Sequence, residues 1–196
     1  MRAICDQPLD ELQSLCGQAL PKPIPSHGKI DADWQAALDE RIQPCHPKLH
    51  ILRKAILDRF GGGEVLISMG DASEAEPLTE HGQLWVPEAS DIDYLAGENN
   101  HCHDNACTFW KESPEKYVIA TGYGLSPDGL WRPHSWLMEP QNDSDAKIVE
   151  TTVGRLAYFG RVLDLPNTID FVFGNIPDDL KNDAIQLMRK PKSPQP

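Results

Sequence analysis

The chain has 196 residues and a formal net charge of −12, from 30 acidic and 18 basic side chains, with 40% hydrophobic residues. That is a globular composition, long enough for one domain with its own apolar core. An acidic surface repels phosphate, so nucleic acid and anionic membranes are not expected partners, and no apolar run approaches the roughly 20 residues a membrane helix requires.

Asp6, Asp10 and Glu11 interrupt the N-terminal apolar positions, which does not match a signal peptide, so the expected location is cytoplasmic. The five cysteines, Cys5, Cys16, Cys45, Cys102 and Cys107, are odd in number and irregular in spacing. A domain of this size needs no disulfide framework, and all five are expected reduced.

Helices come first. Pro8 to Leu20 carries Leu9, Leu12, Leu15, Cys16, Ala19 and Leu20 at helical spacing, and the prolines of Pro21 to Gly28 break it. Asp31 to Ile42 follows, with an Asp N-cap and Trp34, Ala37, Leu38 and Ile42 on one face. Pro47 opens a third helix through Leu49, Leu52, Ala55, Ile56 and Phe60, and Gly61, Gly62 and Gly63 end it.

Glu64 to Met69 reads as a short buried strand, Gly70 to Gly82 as an acidic surface loop, Gln83 to Val86 as a strand and Asp91 to Ala96 as a helical turn. Gly97 to Asn100 is turn-rich and leads into a helix over Cys102 to Lys111. Strands are then expected at Tyr117 to Tyr123, Trp131 to Met138, Lys147 to Val153, Leu156 to Leu163 and Thr168 to Phe173, with a turn at Ser126 to Gly129. Asp178 and Asp179 suit a helix N-cap region. The tail from Met188 is basic, proline-rich and expected disordered. The expectation is a single α+β domain over residues 1–187, helical over 1–60 with a catalytic core over 61–187, followed by a tail at 188–196.

The helix at Cys102 carries chemistry. Cys102, Ala106, Phe109 and Trp110 share one face, expected to pack on the sheet, and Cys102 sits in the first turn. A thiolate there feels the positive end of the helix dipole, and the free backbone N–H groups can hold an oxyanion. Cys107, deep in the helix and on another face, has neither advantage. Taken alone, Cys102 reads first as a small buried hydrophobe. A hairpin centred on Asn142 sets His134 directly opposite Glu150, where a carboxylate holds the imidazole in one tautomer.

A cysteine at a helix start, a histidine on a later strand and an acid on the strand after that is the thiol-hydrolase order. The stretches Cys102-His103-Asp104-Asn105-Ala106, Gly122-Tyr123-Gly124, His134-Ser135-Trp136 and Val149-Glu150-Thr151-Thr152 resemble the papain-like and transglutaminase-like superfamily over Asn99 to Val162. The resemblance implies Cys102 as nucleophile, His134 as base and Glu150 as the orienting acid. The acid is Glu where that pattern more often has Asp or Asn, and the Cys-to-His separation is short. No glutamine stands at the oxyanion position; Asn99 or Asn100 takes that role. Trp131 and Trp136 flank His134 and line either an acyl cleft or the core.

His101, Cys102, His103 and Cys107 invite a zinc reading. Consecutive side chains at a helix start point in different directions, however, and the paired spacing of structural zinc is missing, so no metal or other cofactor is expected. The triglycine is a helix stop, since no Gly-Lys-Ser/Thr follows.

The function expected is a cysteine-dependent amide hydrolase (peptidase, amidase or protein-glutamine deamidase). It acts through a thioester on an amide-bearing protein, peptide or small molecule. The alternatives are a transglutaminase-type acyl transferase, with Gly70 to Gly82 as a lid that draws in a basic substrate, and a non-catalytic protein-binding module on the same fold.

Overall fold

The computed structural model describes residues 36, 39, 40, 45–67, 72–142 and 145–176. The expected first helix, Asp178–Asp179 and the tail lie outside these residues. Of the second helix, Ala36, Asp39 and Glu40 are described and are helical.

Helix α1, Pro47–Phe60, forms where the spacing predicts it. The His46 ring nitrogen Nδ1 accepts from the Lys48 amide at 3.2 Å, and Pro47 opens the helix, where a missing N–H costs nothing. Leu49, Leu52 and Ile56 bury one stripe. Gly61 and Gly62 stop the helix at φ 71° and 103°, values that side chains resist. At Gly62 a Cβ would also meet the Trp131 indole nitrogen at 2.8 Å.

The remaining elements are β1 Glu64–Val65, α2 Ala75–His81, β2 Gln83–Trp85, a 3-10 turn Ala89–Asp91, β3 Ile92–Tyr94, α3 Cys102–Glu112, β4 Val118–Leu125, β5 Leu130–Asn142, β6 Asp145–Glu150, β7 Ala157–Val162 and α4 Leu165–Asn175. The fold is α+β. Strands are bonded in the order β2-β7-β4-β5-β6-β3, with β1 parallel to β5 off that path. The β2–β7 and β5–β6 pairs are antiparallel.

Four expectations are corrected. The acidic stretch Gly70 to Gly82 is not a loop, because α2 occupies most of it: Ala75 and Leu78 bury one face, and Glu74 pairs with Arg161 at 2.9 and 3.0 Å. Asp91 to Ala96 is not a helical turn: Asp91 ends a 3-10 turn and Ile92–Tyr94 is the strand β3. Thr168 to Phe173 is helical despite its β-branched and aromatic residues. Asp164 caps α4 by accepting from the Asn167 amide at 2.9 Å, Pro166 stands in its first turn, and Thr168 and Val172 bury one face four residues apart.

The fourth correction is the hairpin register. Leu137 pairs with Val149, Met138 with Ile148, Glu139 with Lys147 and Pro140 with Ala146, and a bulge then lets Asn142 pair with Asp145. The turn centre falls after Asn142, because β5 runs on through Pro140, which a bulge accommodates. Carried one step toward the strand end, this register sets Trp136, not His134, across from Glu150. The displacement is even, so each side chain keeps its expected side of its own strand.

The chain divides into two compact units. The first takes the described residues up to Ile92 with Thr121–His134 and Val153–Arg161, and the second takes Asp93–Ala120, the described residues of Ser135–Thr152 and those from Val162 to Ile176. The first unit's core joins Leu49, Leu52 and Ile56 to Val65, Ala75, Leu78, Tyr123, Leu125, Trp131, Ala157 and Phe159. The second unit's core joins Ala106 and Cys107 to Tyr117, Ile119, Leu137, Val149, Leu163, Val172 and Ile176. Cys107, expected away from the packed face of α3, is fully buried in it. Among the described residues no helix is long and apolar enough to cross a membrane.

Glu64 is buried in the first unit, 3% exposed. Its carboxylate takes a two-pronged grip from Arg53, with Nε at 2.6 Å, and accepts from the Val65 amide at 2.7 Å. Arg53→Met keeps the aliphatic stem and takes the guanidinium away from a buried carboxylate. The expected loss is about 2–3 kcal/mol, read as a lower urea midpoint at unchanged m-value. An unchanged midpoint would show that the pair contributes nothing.

Candidate functional site

Cys102 is the first residue of the 11-residue helix α3, in the second unit, and is half-buried. The turn before it is held by polar contacts. Asn105, one turn into the helix and buried, accepts from the Glu98 amide at 3.0 Å and donates to the Glu98 carbonyl at 2.8 Å and the Thr151 carbonyl at 3.3 Å. Leu95 N–H donates to the Glu150 carbonyl at 2.9 Å. Gly97 threads this junction: a Cβ there would lie 2.4 Å from the Asn105 amide nitrogen and 2.5 Å from the Thr151 carbonyl. The loop 97–100 is thereby tied to the first turn of α3 and to the residue that follows Glu150. Asn100 takes a left-handed φ of 65°, and Asn99 and Asn100, the expected oxyanion donors, are exposed.

Two histidines flank Cys102. His101 Nδ1 stands 2.9 Å from Asp104 Oδ2. Its pKa is raised, first by that hydrogen bond and then by the charge of Glu98, with Cys102 adding in the same sense. A cationic imidazole is thus favoured one residue before Cys102. His103 Nδ1 meets Ser135 Oγ on β5 at 2.7 Å, and its ring lies edge-on to Phe171 of α4, centroids 5.8 Å apart. Burial pushes the Cys107 thiol up to about 12, with Asp104 adding to it.

Glu150, at the end of β6 in the same unit, is fully buried. Its Oε1 accepts from the Thr151 amide at 2.9 Å and from the Thr152 amide and hydroxyl, both at 3.0 Å. Three donors on one oxygen offset the desolvation of a carboxylate.

His134 lies on β5 in the first unit and is fully buried. Its ring is tilted against Tyr158, with centroids 5.9 Å apart. Gly124 makes room beside it: a Cβ there would lie 2.7 Å from Arg155 Cγ and 3.2 Å from His134 Cδ2. Arg155 Nη1 donates to Ser126 Oγ at 2.6 Å, and the Arg155 amide donates to the Tyr158 hydroxyl at 3.2 Å. Arg155 Nε is buried with no acceptor among the described residues, a state that costs about 1–3 kcal/mol.

Of the two flanking tryptophans, Trp131 belongs to the first unit's core. It is fully buried, with its indole N–H on the Gly61 carbonyl at 2.9 Å and its ring 6.2 Å from Phe60. Trp136 is fully buried as well. Neither presents an open wall to a substrate. Among the described residues no three His, Cys, Asp or Glu side chains are grouped to hold a metal ion.

The contacts around the candidate residues also involve Asn105 and Ser135 in the second unit and Arg155 and Tyr158 in the first, to which the sequence reading gave no role. Asn105 had a readable signal, since asparagine inside a helix is a poor helix former unless its amide is used. Gly124 within a strand signals close approach of another chain segment. Comparison with known protein families, curated proteins and solved structures finds no match.

Asn105→Ala removes one acceptor and two donors from a buried junction. The expected loss is about 2–3 kcal/mol, with faster hydrogen exchange at the Glu98 amide. Full protection of Glu98 in the variant would show that the loop is held by other contacts.

Proposed function

We propose that the chain is a cysteine-dependent amide hydrolase of papain-like or transglutaminase-like type. Cys102 is the nucleophile, His134 the general base and acid, and Glu150, although the hairpin register sets Trp136 rather than His134 opposite it, the group that orients the histidine. The observation that carries the reading is the contrast between two cysteines of one helix. Cys102 opens α3 and is half-buried, and Cys107 is fully buried with its thiol pushed up to about 12. Thiolates form at helix N-termini and beside cationic imidazoles, and protonated thiols persist in apolar cores.

In the proposed reaction the Cys102 thiolate attacks the amide carbonyl carbon, forming the C–S bond and an oxyanion faced by first-turn N–H groups. The oxyanion collapses, the C–N bond breaks, and the imidazolium of His134 delivers its proton to the leaving amine. Water then attacks the thioester carbon as His134 takes its proton, the C–S bond breaks, and the carboxylic acid and the thiolate are released. The hydrogen-bonded carboxylate of Glu150 suits an acid that remains charged throughout. Water is taken as the acyl acceptor in this reading.

Brief treatment with iodoacetamide at neutral pH, followed by peptide mapping, should label Cys102 first and leave Cys107 unmodified. Faster labelling of Cys107 or Cys45 rejects Cys102 as the nucleophile.

A glutamine-containing substrate offered with and without a labelled primary amine should release ammonia in both cases, incorporate little amine, and give neither product with Cys102→Ala. Efficient amine incorporation that Cys102→Ala abolishes keeps the nucleophile and changes the reaction to acyl transfer. No turnover together with an unreactive Cys102 leaves the binding-module alternative.

A further inference from the structure

Arg155 stands apart from the other described arginines in how its charge is met. Arg53 grips Glu64. Arg132 grips Asp128 at 2.8 and 2.7 Å, and Arg161 grips Glu74 at 2.9 and 3.0 Å. Arg59 is exposed, over the ring of Phe60. Arg155 is half-buried, and among the described residues its guanidinium donates only to the neutral hydroxyl of Ser126. Its Nε is enclosed and has no acceptor among the described residues, and the ion pairs of the described arginines are made by Arg53, Arg132 and Arg161. In a chain with 30 acidic residues, a half-buried guanidinium with one N–H enclosed and no counter-ion among the described residues is a charge that an anion can complete.

Its position within the first unit is specific. The stem lies over Gly124 beside His134, where a Cβ at position 124 would meet both side chains. The backbone at Arg155 is anchored twice, by its own amide on the Tyr158 hydroxyl and by the Leu156 amide on the Leu125 carbonyl at 2.8 Å. Tyr158 in turn packs against the His134 ring. Tyr158, Arg155, Gly124 and His134 therefore form one polar corner of this unit. Arginine offers two parallel N–H donors to a carboxylate, and Ser126 engages Nη1 only, so the Nε side of the fork is the side lacking an acceptor.

We infer that Arg155 is the anchor for a substrate carboxylate, so that the amides taken by this chain carry a carboxylate close to the bond that is cleaved. The placement beside His134 rests on the role proposed above for that histidine, and the anion recognition rests on Arg155 alone. The carboxylate would complete the guanidinium's hydrogen bonds and neutralise its charge, and a neutral amide of the same shape would do neither.

The test uses the full chain and two probes, N-acetylalanine and its uncharged methylamide, with binding followed by ligand-observed NMR. Both the wild type and Cys102→Ala are titrated, so the measurement does not depend on turnover. The carboxylate probe should bind at least about tenfold more tightly than the methylamide, equally in both proteins, and more weakly as salt rises. Arg155→Gln should erase the preference, and Arg155→Lys, which keeps the charge and loses the fork, should reduce it several-fold. Melting curves report whether each variant is folded. If Arg155→Gln does not fold, an unreduced preference in Arg155→Lys overturns the inference. So does equal binding of the two probes, or a preference that survives Arg155→Gln. Carboxylate selectivity in a protein that hydrolyses no amide would reject the hydrolase reading and leave Arg155 as an anion site.

Discussion

Burial of a polar side chain is tolerated only where the fold itself supplies the hydrogen bonds that water would have made. That constraint sets where the segments of this chain lie. Glu64 is buried at the start of β1 because Arg53 of α1 reaches it. Asn105 is buried in α3 because the backbone of the loop before the helix and of the segment after β6 turns toward it. Glu150 is buried at the end of β6 because the next two residues fold their donors back onto one oxygen. In the last two cases a stretch of backbone with no regular structure is positioned by the need to satisfy one side chain.

The proposed chemistry inherits its rigidity from the same bonds. A nucleophile at a helix N-terminus is useful only if the turn carrying it does not fray, and first turns are where helices fray. Here the first turn is held by Asn105 to the loop before it and to the Thr151 carbonyl, and by His103 to Ser135 on β5. Gly97 admits the loop at a distance that no side chain allows. Catalytic geometry set by such contacts is lost when one of them is lost, even when the reacting groups themselves are unchanged.

Arg155 shows the opposite case. Its Nε carries the cost of burial without the compensating acceptor. Such a cost persists in a fold only when the surrounding structure over-determines it, and two backbone hydrogen bonds and the narrow space over Gly124 do so here. The acidity of the chain sharpens the point, since carboxylates are plentiful and three of the described arginines have taken one.

Local chemistry made a good part of the molecule legible. Pro47 with a 3–4 spacing of leucines predicts α1, three glycines predict its end, and Ser126 to Gly129 predicts the turn between β4 and β5, which closes with Gly129 N–H on the Ser126 carbonyl at 2.9 Å. Cys102 at a helix start follows from the turn-rich residues before it. These features depend on neighbours in the chain, so the sequence by itself determined them, together with the α+β class and the order Cys, His, Glu. Tertiary structure decided what depends on distant partners. Thr168 to Phe173 has strand-forming residues, and it is a helix because Asp164 and Pro166 start one and the second unit's core takes Val172. The acidic stretch after Gly70 contains α2 because Leu78 and Ala75 find the first unit's core and Glu74 finds Arg161. The hairpin register rests on a bulge at Pro140, which alternation along the strand does not encode. Which strand residue faces Glu150, and whether an arginine is paired, were therefore decided only once the chain had folded, because both depend on contacts between residues far apart in sequence.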